Sequence, residues 1–114
     1  MNIIAELTEK DIAAREAQIL EEGKVLVAVL PAFYPGLDQP IFHKFGGVGQ
    51  TFKELIQTFT NKFDTYGGKR TFHIGLPLCI FSRHQDRPEL WTMWAKVMIV
   101  ERSSILRYSR LSEV

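Results

Sequence analysis

A glycine-rich segment that leads into a helix is the pattern in this chain most suggestive of ligand chemistry. The residues in order are Gly46-Gly47-Val48-Gly49-Gln50-Thr51. Glycine backbone at a helix N-terminus offers free N–H groups that can hold a phosphate. The segment lies at the end of residues 31–49, which contain three prolines and four glycines and are predicted to form a long loop, with a short strand over residues 41–45 as an alternative. One possible function is therefore a small anion-binding or ligand-binding domain, or an enzyme, that uses this loop.

The same six residues resemble the phosphate loop of P-loop ATPases, in the variant form of the partition-protein family. Lys44 stands where that motif has its first glycine, and Gln50 stands where it has the lysine that reaches the β- and γ-phosphates. The resemblance ends with these residues, because no apolar strand ending in a metal-binding aspartate follows. We therefore expect no nucleotide hydrolysis.

The other reactive side chains do not form a recognisable catalytic or metal-binding pattern. His43, His73 and His84 are 30 and 11 residues apart, and none has a second ligand at helical or strand spacing. Cys79 is the only cysteine, and its neighbours Leu78 and Ile80 indicate a buried, unreactive thiol. The sequence thus predicts no catalytic residue, no metal ion and no cofactor, and a protein that is not an enzyme.

Nucleic-acid binding is a further alternative that rests on the C-terminal arginines. Arg102, Arg107 and Arg110 surround Tyr108 and could contact a phosphate backbone. The net charge is only +1, with six acids and two bases in residues 1–23 and a net +5 in the remainder. Most nucleic-acid binders concentrate more basic charge than this, so the sequence does not favour the alternative.

Length and composition indicate a single globular domain over residues 1–114. Hydrophobic residues make up 46% of the chain and charged residues 24%, both ordinary for globular proteins. No apolar run reaches the roughly 18 to 20 residues of a membrane-spanning helix, and residues 1–10 are too polar for a signal peptide. We expect a cytoplasmic protein.

The local patterns predict two helices and three or four strands. Thr8 with Asp11, and Thr51 with Glu54, have capping-box spacing and open one helix each. The apolar runs in residues 24–30, 71–81 and 90–100 indicate strands, with a helix from residue 87 as the alternative for the last of them. The predicted fold class is α+β, in which two helices pack on a three- to four-stranded, mainly antiparallel sheet in the order α-β-loop-α-β-β-tail.

These strands are apolar on both faces, which two helices cannot cover. Residues 90–100 place large apolar side chains at both odd and even positions, a pattern typical of strands buried on both sides. We therefore expect another protein chain, either a second copy in a homodimer or a different protein, to cover one face. The candidate contact residues are large apolar side chains of the last strand and of the 31–49 segment, namely Leu90, Trp94, Met98, Phe33, Tyr34 and Phe42. The function that follows is a small non-catalytic interaction protein, either a regulator that covers its partner's surface or a subunit of an assembly such as a phage particle.

Overall fold

The computed structural model describes residues 4–63, 71–84 and 86–109. Its helices and strands follow one another in the order β1 (Ala5–Glu6), α1 (Glu9–Glu21), β2 (Lys24–Ala32), β3 (Ile41–Gly49), α2 (Phe52–Phe63), β4 (His73–Leu76), β5 (Cys79–Arg83) and β6 (Trp91–Glu101), then a 3₁₀ turn (Arg102–Ser104) and α3 (Ile105–Ser109).

The strands form one six-stranded sheet in the order β1-β4-β5-β6-β2-β3, and all neighbouring strands are antiparallel. This corrects the predicted arrangement of two helices on three or four strands, because the described residues contain three helices and six strands. The additional strands come from β1, from the predicted 31–49 loop and from the division of residues 71–81 into two strands. The α+β class itself is confirmed.

Both predicted capping boxes open the helices expected of them. The Thr8 hydroxyl accepts a hydrogen bond from the Asp11 N–H at 3.2 Å, and the Thr51 hydroxyl accepts one from the Glu54 N–H at 3.0 Å. These bonds satisfy N–H groups that have no partner within the first turn of a helix. Helix α1 ends at Glu21, and two residues later Gly23 has a positive φ of 69°, which suits a residue without a Cβ atom.

Only residues 33–40 of the predicted 31–49 loop lie outside strands, and the short strand considered for residues 41–45 is part of a longer strand. Strand β2 continues through Pro31 to Ala32, and residues 41–49 form β3, which pairs with it antiparallel. Two register shifts interrupt the pairing, one between Ala28 and Val29 and one between Leu30 and Pro31. Such bulges let a strand tolerate proline and glycine, and this is why composition alone suggested a loop.

Of the two remaining predicted strands, the structure confirms one and divides the other into two. Residues 71–81 form a hairpin rather than one strand, because the chain reverses at Pro77 and Leu78, between β4 and β5, with a cis Leu76–Pro77 bond. The strand predicted for residues 90–100 is confirmed as β6, and the helix alternative is wrong.

The two faces of the sheet are covered by different helices. Leu26, Ala28, Ile80 and Ala95 point toward α1 and α2, and we call this side the helical face. On the opposite side, which we call the distal face, Val25, Val27, Val29 and Val100 form a second cluster that receives Ile105 and Tyr108 of the C-terminal helix. Helix α3 of the same chain thus packs on this part of the distal face, while Met98 on the same face is 40% exposed. Among the described helices, none has the length and apolar character needed to cross a bilayer.

Candidate functional site

The β2–β3 hairpin extends beyond the rest of the sheet. Strand β2 pairs with β6 only from Lys24, opposite Glu101, to Val29, opposite Lys96. Beyond that point the preceding residues of β6 pair with β5 alone, while β2 continues with β3. Residues 30–44, which comprise the end of β2, the connecting residues 33–40 and the start of β3, have no neighbouring strand on the β6 side, and we call them the arm. The bulges at its base add the twist that lets it separate from β6.

A tight turn and a side-chain hydrogen bond shape the arm. The Leu37 N–H donates to the Tyr34 carbonyl at 3.2 Å, and Gly36 has a φ of 86°. Proline followed by a glycine with positive φ is the combination that a type II turn requires. The Tyr34 hydroxyl shares a 2.6 Å hydrogen bond with Nε2 of His43, and the two rings stack at 5.7 Å. The arm therefore has a defined shape before any partner binds.

The outer part of the arm exposes large apolar side chains. Phe33 is 78% exposed, Leu37 52% and Ile41 48%, and Tyr34 is also exposed. Four such residues lie within nine positions, whereas most surfaces expose large apolar residues singly. A two-stranded hairpin is only marginally stable without further packing. This apolar tip is consequently the strongest candidate for a contact surface.

The six residues predicted to contact a partner lie in different parts of the structure. Phe33 and Tyr34 lie on the arm tip. Phe42 lies at the arm base, where it is half-buried against the distal cluster and the Lys96 ammonium sits 4.5 Å from its ring centroid. Leu90 is exposed in the turn before β6, and Met98 is exposed on β6 itself.

Trp94 does not share a face with Met98, contrary to the sequence prediction. The pairing of β5 with β6 shifts by one residue, so that Ile80 lies opposite Ala95 and Phe81 lies opposite Met93. A shift of one residue reverses the side of the sheet on which a side chain emerges. Trp94 packs on the helical face, with its ring 5.5 Å from that of Phe72. Its indole N–H donates to the hydroxyl of Ser82 at 2.7 Å, so this residue belongs to the partly buried core.

The glycine-rich segment fits a packing role better than a phosphate site. A Cβ atom at Gly49 would lie 2.7 Å from the backbone nitrogen of Leu55, so the strand approaches the helix too closely for any side chain. The N–H groups at the start of α2 are also engaged: Phe52 donates to Glu16 at 2.8 Å, and Gln50 donates to Glu54 at 3.2 Å. The N–H groups that a phosphate would need are therefore already hydrogen-bonded to the carboxylates of Glu16 and Glu54.

A cleft of about 350 Å³ lies between α1, α2 and the edge of β4. Its walls are mainly apolar and are formed by Leu7, Ile12, Phe52, Ile56, Phe72 and Ile74. Sequence reasoning missed this site, because its residues come from four separate segments and none forms a linear motif. The i, i+4 spacing of Phe52 and Ile56 is visible in the sequence, but it indicates only a buried helix face.

Most charged groups at the border of the cleft have partners. Glu6 lies 2.6 Å from Nδ1 of His73 and 3.6 Å from the Arg83 guanidinium, and Glu16 accepts the Phe52 N–H. Lys53 also borders the cleft, and no residue in the described ranges forms an ion pair with it. The border of the cleft thus carries the Lys53 ammonium together with the carboxylates of Glu6 and Glu16, around an apolar interior.

The remaining reactive side chains are dispersed. His43 lies on the edge strand β3 and His73 on β4, four strands away in the sheet, and the described part of the chain has no group of three or more potential metal ligands. Cys79 is fully buried, as expected, and burial raises the pKa of its thiol from 9.0 to about 11. Arg102 and Arg107 are exposed at the C-terminal turns, while Arg110 lies outside the described residues.

No protein-family model, curated protein or solved structure matches this chain.

Proposed function

We propose that this protein is a non-catalytic protein–protein interaction module that binds through the tip of the β2–β3 arm. The observation that carries the proposal is the exposure of Phe33, Leu37 and Ile41 on a hairpin that leaves the sheet. In this role the protein acts by covering part of a partner's surface, either as a regulator or as a subunit of an assembly.

Two properties of the arm support binding rather than a purely structural role. Its turn and its Tyr34–His43 hydrogen bond fix the backbone in advance, so less conformational freedom is lost when a partner binds. Its exposed residues include a phenylalanine and a tyrosine, which are types enriched in the cores of interfaces. These two contacts constrain the connection that carries Phe33 and Leu37, which lowers the entropic cost of binding.

The edges of the sheet favour contact through side chains rather than through strand addition. At one edge β1 has only two residues, and at the other edge β3 contains two bulges. Short edge strands and bulges are devices that protect a sheet from pairing with another strand. We therefore expect the partner to contact the apolar side chains of the arm tip and not to add a strand to the sheet.

The test is photo-crosslinking in living cells with p-benzoylphenylalanine in place of Phe33. The matched control carries the same amino acid at Thr92, an exposed position on β6 outside the arm. We expect a discrete protein adduct from position 33 and no adduct of that mass from position 92. Equal labelling at the two positions, or no protein adduct at position 33, contradicts the proposed function. The adduct mass also identifies the partner as a second copy or as a different protein.

A further inference from the structure

We infer that the C-terminal helix α3 regulates the position of the arm through the distal cluster, the four valines of the distal face on which both segments pack. The inference rests on the proposed function, because it concerns regulation of the same arm. It requires that the arm and α3 both depend on this cluster, which consists of Val25, Val27, Val29 and Val100.

The base of the arm is anchored on both faces of the sheet. On the helical face Leu30 packs against the core that α1 and α2 cover. On the distal face Phe42 packs on the distal cluster, with the Lys96 ammonium 4.5 Å from its ring centroid. Strand pairing does not fix the arm to β6, because β2 pairs with β6 no further than Val29. Phe42 therefore anchors the arm to the distal face.

Helix α3 depends on the same cluster. Ile105 and Tyr108 are half-buried on it, whereas Arg107 is exposed. Residues three positions apart lie on one side of a helix, so this side of α3 faces the sheet. The helix has five residues, and isolated helices shorter than about 12–15 residues are marginal in water. Two side chains thus maintain α3, and it opens more readily than the strands of the sheet.

Departure of α3 uncovers an apolar surface that the base of the arm is placed to cover. The four valines of the distal cluster are at most 8% exposed while α3 packs on them. Loss of Ile105 and Tyr108 exposes them to water, which is unfavourable in proportion to the apolar area. Phe42 and Phe45 pack on the same valines from β3, so a shift of their rings restores part of the burial. Because Phe42 belongs to the arm, this shift moves the arm base.

The coupling between α3 and the arm acts in both directions. A partner that binds the arm in its present position stabilises the packing of α3 on the sheet. Any molecule that removes α3 from the sheet weakens binding at the arm tip. Helix α3 therefore regulates the proposed interaction from a site remote from the exposed side chains of Phe33 and Leu37.

Amide hydrogen exchange on the full chain tests this coupling without a partner. The variant is Tyr108→Ala, and the matched controls are Tyr108→Phe, which retains the ring, and Arg107→Ala, which changes an exposed position of the same helix. We expect Tyr108→Ala to raise the exchange rates of the arm amides about tenfold, because these rates follow the fraction of molecules in which the segment is open. The rates in the β4–β5 hairpin should change less than about threefold, and both controls should behave like the wild type.

The reverse measurement uses Phe42→Ala, with Phe33→Ala as its control at a 78% exposed position of the arm. We expect Phe42→Ala to raise the exchange rates of the α3 amides about fivefold, because it removes a side chain from the cluster on which α3 packs. Phe33→Ala should leave these rates at their wild-type values.

Two results overturn the inference. One is a rise of the arm rates in Tyr108→Ala that is no larger than the rise in Tyr108→Phe or in the β4–β5 hairpin. The other is a change of the α3 rates in Phe42→Ala that is no larger than in Phe33→Ala. Because the rates are measured on the free protein, the crosslink from position 33 judges the proposed function separately. A coupling without that adduct overturns the proposed function alone, and an adduct without the coupling overturns only the regulation by α3.

Discussion

The carboxylate of Glu16 on α1 accepts a 2.8 Å hydrogen bond from the backbone N–H of Phe52, 36 residues later in the chain. This contact joins the middle of one helix to the first turn of the other. A negative charge at a helix N-terminus is favourable, because it satisfies a free N–H group and interacts with the helix dipole. The contact therefore fixes α2 relative to α1 and shapes the cleft between them.

Removal of this carboxylate is expected to destabilise the fold. We predict that Glu16→Ala lowers the free energy of unfolding by about 1–2 kcal/mol, the usual cost of losing a helix cap. Glu16→Gln retains an oxygen acceptor and should cost about half as much. Urea denaturation measures both, with Glu21→Ala as the exposed control on the same helix, for which a change below about 0.5 kcal/mol is expected. Equal effects of Glu16→Ala and Glu21→Ala would show that the contact does not stabilise the protein.

The hydrogen bond between Trp94 and Ser82 should be measurable as a coupling. Ser82 is buried, and its hydroxyl accepts the indole N–H at 2.7 Å. We expect Trp94→Phe and Ser82→Ala each to lower the free energy of unfolding by about 1–2 kcal/mol. In the double variant the two effects should fall short of additivity by roughly 1 kcal/mol, since either change alone removes the bond. Strict additivity in urea denaturation would contradict the bond.

The raised pKa of the Cys79 thiol predicts a specific loss of stability in alkaline solution. Its pKa is raised from 9.0 to about 11 in the folded protein, because burial disfavours the thiolate. Between these values the unfolded chain releases the proton and the folded chain retains it, so the free energy of unfolding falls as the pH rises from about 9 to about 11. The two-unit difference corresponds to roughly 2–3 kcal/mol.

The control for this effect is Cys79→Ala, which removes the titrating group. Thermal or urea unfolding of both proteins at several pH values separates the thiol from the tyrosines and lysines that titrate in the same range. The free energy of unfolding of the wild type, measured relative to that of Cys79→Ala, should fall by roughly 2–3 kcal/mol between pH 9 and pH 11. A difference that is independent of pH would mean that the thiol is not buried in the folded state.

The sequence predicted the parts of this fold that local patterns determine. Thr8 and Thr51 were identified as helix caps from residues three positions away, and their hydrogen bonds confirm that reasoning. The burial of Cys79 followed from its apolar neighbours in the same way. Local spacing was sufficient in each case because the interacting groups lie within one turn or one strand.

The parts that were predicted wrongly depend on long-range pairing. Pro35-Gly36 is a turn signal between two strands, and a hairpin was therefore readable, but the glycines and prolines of 31–49 were interpreted as a loop. The face of Trp94 depended on a register shift opposite β5, which no pattern within β6 reveals. The cleft and the Glu16–Phe52 contact join distant segments and leave no linear signature.

Gly49 is expected to be intolerant of a side chain. A Cβ atom there would lie 2.7 Å from the Leu55 backbone nitrogen, so β3 and α2 must separate to admit it. We predict that Gly49→Ala lowers the free energy of unfolding by about 1–3 kcal/mol, the usual cost of overpacking. Gly36→Ala is a useful comparison, because no atom crowds that position and its cost arises only from the positive φ. If Gly49→Ala unfolds at the same urea concentration as the wild type, the close approach of β3 to α2 is not real.

The most direct test of the central claim is whether the exposed side chains of the arm tip contact another protein. The photo-reactive amino acid p-benzoylphenylalanine replaces Phe33, Leu37 or, as the control, Thr92 in three separate proteins. The account predicts a protein adduct of the same mass from positions 33 and 37 and no adduct of that mass from position 92. No adduct from either arm position, or the same adduct from position 92, would contradict the account.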